Sequence, residues 1–211
     1  DKGDPNALFL LEGMMEVIGE DVDAGKINIV GEAFTDGCIG DWAADAQAVI
    51  TAVTDGSVVL VGSSMGGWIS CLLSQRLPRV AGFVGIAAAP DFTEDGMWAS
   101  FDDAQRKTLW DEGVLMLPSD YDAPYAVTRK IIEDGRNHLV LRAPLPMNFP
   151  VRLLQGSDDV DVLPQVAVAL LNHIEGGDVR MVLVKGADHR FSSPDCLALL
   201  ERTVAEVAPI K

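Results

Sequence analysis

Two adjacent serines interrupt the stretch Val59-Leu60-Val61-Gly62-Ser63-Ser64-Met65-Gly66-Gly67-Trp68. Ser64 alone satisfies G-x-S-x-G, because Gly62 and Gly66 flank it at two residues, whereas Ser63 has Val61 and Met65. A serine on a sharp strand-to-helix turn lifts its hydroxyl above the sheet, at a backbone strain of roughly 1–3 kcal/mol. Side chains at the two glycines would collide with the strand and the helix. The amides that open the following helix favour a developing oxyanion. A glycine-rich turn with no catalytic role is the plainer alternative. A phosphate loop would require a lysine in this turn, and there is none.

A serine hydroxyl needs a base, and the chain has three histidines. His138 precedes Leu139-Val140-Leu141, and His173 falls within an amphipathic helical pattern; both read as surface or packing residues. His189, in Gly186-Ala187-Asp188-His189-Arg190, follows the last apolar strand and precedes the last helix. Open α/β sheets collect their sites on loops at the strands' C-terminal ends, which makes His189 the candidate general base. An orienting carboxylate is expected in Gln155-Gly156-Ser157-Asp158-Asp159-Val160-Asp161, again just past an apolar strand. Asp158, Asp159 and Asp161 compete, and spacing does not choose among them. As a calcium loop the stretch lacks the glycine and the distal glutamate of an EF-hand. A solvated acidic loop is the bland reading.

The elements that must position these groups alternate. Asp4-Pro5 followed by Leu8, Leu11, Met15 and Ile18 predicts a first helix, and Ile27–Val30 a strand. Trp42, Val49, Ile50 and Val53 mark a second helix. Ser57–Val61 and Val80–Ala87 read as strands buried on both faces, separated by a helix over 66–76. From about Asp91 to Asn148 the rhythm breaks. A capping box of Ser100 and Asp103 predicts a helix that stops at Gly113, and another helix is expected from Pro124 to Gly135. Alternation then resumes with strand 151–155, helix 164–174, strand 179–184 and helix 194–207. The expectation is a single α/β domain over 1–211, with 91–148 as a helical cap over the C-terminal edge of a mostly parallel sheet.

The chain has 211 residues, 48% of them hydrophobic, which is enough for a substantial core. A net charge of −16 argues against nucleic acid and anionic membranes as partners. Cys38, Cys71 and Cys196 form neither a disulfide framework nor a metal knuckle, so a reducing, cytoplasmic setting is expected. No run is long enough to span a membrane, and Asp1–Asn6 does not open a signal peptide.

These residues together resemble the serine α/β-hydrolases, whose chain order is Ser, acid, His. Their acid loop commonly reads G-x-x-D-x-x-V, which Gly156, Asp159 and Val162 fit, so the resemblance singles out Asp159. GSSMGGW, PSDYDAPY, IIEDGRNH, LRAPLPMNFPVRLLQG and KGADHR are similar to the abhydrolase-10 group of palmitoyl-protein thioesterases and acyl-glucuronide esterases, from about Gly37 onward. The differences from the animal proteins point to a bacterial member. The resemblance implies an α/β-hydrolase fold with helices on both faces of the sheet. It also implies a Ser64–Asp159–His189 triad with Met65 N–H in the oxyanion hole, a small acyl ester or thioester as substrate, and neither metal nor organic cofactor. Met97, Trp98, Phe101, Trp110, Leu115 and Met116 are candidate lining of an acyl pocket, although at helical spacing they equally suit an ordinary core.

The N-terminal part departs from that group. Its members carry strands leading to a P-G-[FY]-x-S-D loop, one amide of which completes the oxyanion hole, and later a D-Y-x-G-H-G-x-S segment. Here the first helix is expected almost at residue 4, and GEAFTDG (31–37) stands in place of the second segment. The N-terminal strands are therefore expected to be shortened or missing. Either the sequence is part of a longer protein, or it is a rearranged variant: a non-catalytic or impaired binding protein on a hydrolase fold.

Overall fold

A computed structural model describes residues 8–11, 34–118 and 125–208. Its centre is a five-stranded parallel sheet in the order β1-β2-β3-β7-β9, formed by β1 (Leu8–Leu11), β2 (Val58–Ser63), β3 (Val80–Ile86), β7 (Val151–Gly156) and β9 (Val179–Val184). Helices α1 (Ile39–Val53), α2 (Met65–Arg76), α5 (Pro164–His173) and α6 (Pro194–Val207) complete the alternation. Each lies within a few residues of its predicted span.

Side chains alternate across the strands, as the two-residue period of a pleated sheet requires. Val58, Leu60, Phe83, Val151 and Leu153 join the larger core with Ile39, Ile50, Trp68 and Leu73 of α1 and α2. Val59, Val61, Val84, Ile86 and Leu154 face the other way, onto Phe191 and onto Cys196 and Val207 of α6. Both faces of the sheet are thus covered, which explains the uninterrupted apolar runs of β2 and β3.

The first helix predicted from the sequence is corrected. Leu8–Leu11 forms strand β1, with Leu8 opposite Val59 and Leu11 opposite Gly62. A four-residue apolar run fits either structure, and here pairing with the edge of β2 prevails over the helical spacing. One strand of the N-terminal part therefore stands beside β2. The rest of that predicted helix and the strand 27–30 lie outside the described residues.

Between β3 and β7 the chain is less regular than a set of helices. A π-helical turn (Thr93–Trp98) leads to α3 (Asp103–Glu112), then to an antiparallel hairpin of β4 (Val114–Leu117) and β5 (Tyr125–Thr128), then to α4 (Arg129–Gly135). The capping box of α3 is Asp102 with Gln105, not Ser100 with Asp103; the Ser100 hydroxyl donates to Met97 O instead. Gly113 ends α3 in the left-handed region at φ 80, as anticipated. The helix expected from Pro124 starts only at Arg129, capped by Thr128, because Tyr125-Ala126-Val127-Thr128 is aromatic and β-branched and pairs with β4. A short parallel bridge, β6 (Leu145–Pro146) with β8 (Ile174–Glu175), ties the return segment to the end of α5. Among the described residues no helix is long and apolar enough to cross a membrane.

Candidate active site

Ser64 joins β2 to α2 with φ 50 and ψ −120, a left-handed conformation that a side chain rarely adopts. Three backbone bonds hold it there. Ser64 N donates to Ile86 O at 2.9 Å, and Ser64 O accepts from Gly67 N and from Ala89 N, each at 3.0 Å. The turn is possible only where neighbours are small. A Cβ on Gly62 would meet the Gly66 carbonyl and, at 2.6 Å, Ser70 Oγ. One on Gly67 would lie 2.8 Å from Ala88 Cα, so α2 approaches the chain after β3 through a second glycine that the five-residue motif does not include. Met65 opens α2, and its amide belongs to the first turn, whose N–H groups have no helical acceptor.

Asp159 and His189 lie on the loops after β7 and β9. Asp159 is only 2% exposed. Its Oδ1 accepts from Asp161 N at 3.0 Å and Val162 N at 2.8 Å, and its Oδ2 from Gln155 Nε2 at 2.8 Å. His189 Nδ1 sits 3.1 and 3.0 Å from the two carboxylate oxygens. With Nδ1–H donating to Asp159, Nε2 carries the free lone pair. The two loops are fastened to each other. Asp158 N donates to Ala187 O and Ser157 N to Val184 O, while Ser157 Oγ accepts from Gly186 N. A Cβ on Gly156 would strike the Ala187 carbonyl and come within 2.9 Å of Asp188 O. Buried Phe191, at φ 52, closes the turn by donating to Asp188.

Of the three competing aspartates, only Asp159 is buried against the imidazole. Asp158 accepts from the Ser157 hydroxyl, and Asp161 is exposed. The carboxylates of Asp159 and Asp161 and the His189 ring do converge within 4.8 Å, but both Asp159 oxygens already hold donors of the protein. The register Ser63↔Ile86, Ile86↔Leu154 and Gly156↔Val184 puts the loops of Ser64, Asp159 and His189 on one edge of the sheet, with β3 between β2 and β7. The other two histidines play structural parts. His138 Nε2 lies 3.4 Å from Asp134, and half-buried His173 bonds Ala143 O.

The cap candidates divide. Phe101 and Leu115 are buried in the main core, Met97 and Trp98 pack on it, and Trp110 and Met116 are exposed. Trp98 and Trp110 stand 5.0 Å apart, with Arg106 and Arg136 over the first ring and Arg129 and Arg136 over the second. The three cysteines are free and buried, and burial pushes Cys38 and Cys71 up to about 12, far from a reactive thiolate.

Two features of the site have only faint marks in the sequence. Gln155 is an unremarked polar residue in an apolar strand. Asp91 is fully buried at φ 57, and its carboxylate accepts from Val140 N at 2.7 Å, Leu141 N at 2.9 Å and Arg142 at 3.3 Å. A lone aspartate directly after a proline and an alanine run was its available signal.

Residues 24–209 match the model of the alpha/beta hydrolase family, and the chain belongs to that family. Within it, the chain is 31% identical to the mitochondrial palmitoyl-protein thioesterase ABHD10 of Bos taurus over 176 residues, 80% of this chain and 56% of that protein. The human counterpart is 31% identical over 173 residues with the same coverage. The chain thus spans about 56% of the length of these relatives. Among solved structures, a hydrolase from Agrobacterium vitis S4 superposes with TM-score 0.82 at 36% identity, over 85% of this chain and 72% of that one. Mouse alpha/beta hydrolase domain-containing protein 10 follows the same fold, with TM-score 0.80 at 24% identity over 98% and 90%.

Proposed function

We propose that the chain is a serine hydrolase that cleaves carboxylic esters or acyl thioesters through an acyl-enzyme. The observation that carries this reading is the buried Asp159 bonded to His189 Nδ1, on the same sheet edge as a serine strained to φ 50. His189 Nε2 takes the proton of Ser64 as its oxygen attacks the acyl carbonyl, Asp159 stabilises the imidazolium, and Met65 N–H donates to the oxyanion. His189 then protonates the departing alcohol or thiol and activates water for deacylation. Residues 91–148 serve as a cap that shapes the acyl pocket and excludes water. The relatives' name, palmitoyl-protein thioesterase, favours acyl thioesters among the substrates. Three free cysteines suit a reducing compartment such as the cytoplasm.

The rival reading, an impaired binding protein on this fold, drew on the absence of the loop that completes the oxyanion hole. β1 pairs with β2 and ends opposite Gly62, so its C-terminal end opens on the edge that carries Ser64, where such a loop is needed. The test is labelling with a fluorophosphonate, followed by mass spectrometry. Modification at Ser64, lost in His189→Ala, is the expected result. A folded protein that stays unlabelled would overturn the proposal.

A further inference from the structure

Gln155 is fully buried near the end of β7, with its side-chain amide turned to the acid loop. Nε2 donates to Asp159 Oδ2 at 2.8 Å and to the Val162 carbonyl at 2.9 Å. Both partners are acceptors, so the amide fits one way round only; flipped, its oxygen would face a carboxylate and a carbonyl. In the orientation that fits, Oε1 is buried with no hydrogen-bond partner. An unmet buried acceptor carries a desolvation penalty that an apolar side chain of the same shape would not. The amide therefore carries a cost at Oε1 beside the two bonds that Nε2 makes.

We infer that Gln155 is a positioning residue for the hydrolytic reaction, acting on His189 through Asp159; the inference rests on the acid–base reading of that pair. The backbone amides of Asp161 and Val162 hold Oδ1 from one side. Gln155 holds Oδ2 alongside the imidazole, and it does so without adding charge beside the ring. With both oxygens held, the carboxylate plane cannot turn away from His189. Without Gln155 the carboxylate is free to turn, and the imidazole that rests on its two oxygens is no longer fixed in place.

Gln155→Leu and Gln155→Met test this, read by hydrolysis of p-nitrophenyl butyrate, by the rate of fluorophosphonate labelling at Ser64 and by thermal unfolding. Hydrogen bonds to charged groups are strong enough that kcat should fall about tenfold or more with KM little changed. Labelling should slow in parallel. The unfolding midpoint should fall modestly, because the unmet Oε1 is removed but Val162 O and Asp159 Oδ2 lose a donor, so rates are compared well below the transition, where both variants are folded. Turnover and labelling at the wild-type rate in either variant, or losses that merely track the unfolded fraction, would overturn the inference. If the wild-type protein itself does not label, the acid–base reading fails first and takes this inference with it.

Discussion

Asp159 and Asp91 are both buried carboxylates that accept two backbone N–H groups, yet they are fastened to different things. Asp159 takes its amides from its own loop, two and three residues ahead, and keeps its oxygens open to an imidazole 30 residues away. Asp91 takes its amides from Val140 and Leu141, 49 and 50 residues away, and its third partner is an arginine. Its backbone carbonyl meanwhile receives Glu94 N and Asp95 N, so it starts the π-helical turn with its main chain and grips the end of the insertion with its side chain. A locally satisfied carboxylate can lend its charge to chemistry. One whose oxygens are given to a distant segment becomes a fastening. The partner, not the burial, decides the role.

The largest test of that contrast is Asp159→Asn. An amide cannot hold the imidazole in the same tautomer, and kcat should drop by about 10⁴ while the fold survives. Ester turnover within tenfold of wild type would mean that Asp159 is another fastening after all. Gly156→Ala comes next. Its methyl would push the acid loop from Ala187 and Asp188, and a displacement on the order of 1 Å in a catalytic group can lower the rate about 10²-fold. Unchanged turnover there would show that the two loops tolerate separation.

The smallest effects belong to Asp91 and are read as stability rather than rate. Asp91→Ala leaves the amides of Val140 and Leu141 without their acceptor and should lower stability by about 2–4 kcal/mol in urea unfolding. Asp91→Asn sharpens the point through pH. Burial raises the Asp91 carboxyl above the ordinary range, against the opposing pull of the two amides and Arg142. The folded state therefore holds this proton more tightly than the unfolded chain does. The contribution is greatest below the ordinary carboxylate value of about 3.9 and is lost as pH rises toward the folded value. Wild-type stability relative to Asp91→Asn should accordingly fall as pH rises from about 4. A rise over that interval would mean that the fold prefers the ionised form.

The same contrast explains what the sequence made legible. The turn at Ser64 announces itself because its glycines and its strand-to-helix setting are local, and His189 follows from being the one histidine at a strand's C-terminal end. Asp159 could not be separated from Asp158 and Asp161 by spacing, since what distinguishes it is burial under Gln155, two strands into the sheet. Long-range fastenings such as Asp91 to Val140 leave no periodic trace. Leu8–Leu11 read as helix because four apolar residues do not reveal whether a neighbouring strand awaits them. The hairpin of β4 and β5 was hidden for the related reason that each strand is only four residues long.

The grip of Asp91 on Val140 and Leu141 also bears on how the chain reaches its final form. β3 and β7 lie side by side, yet the whole segment from Ala87 to Pro150 separates them, so their pairing must close a long loop. Closure entropy grows slowly with length, by about 0.6 kcal/mol for each doubling, but it must be met before the non-local contacts form. Once Asp91 holds residues 140 and 141, only the few residues from 87 to 90 and from 142 to 150 remain to be closed. An insertion that folds early thus acts as a splint for the middle of the sheet. One that folds late leaves the β3 edge bare in the meantime, open to another chain.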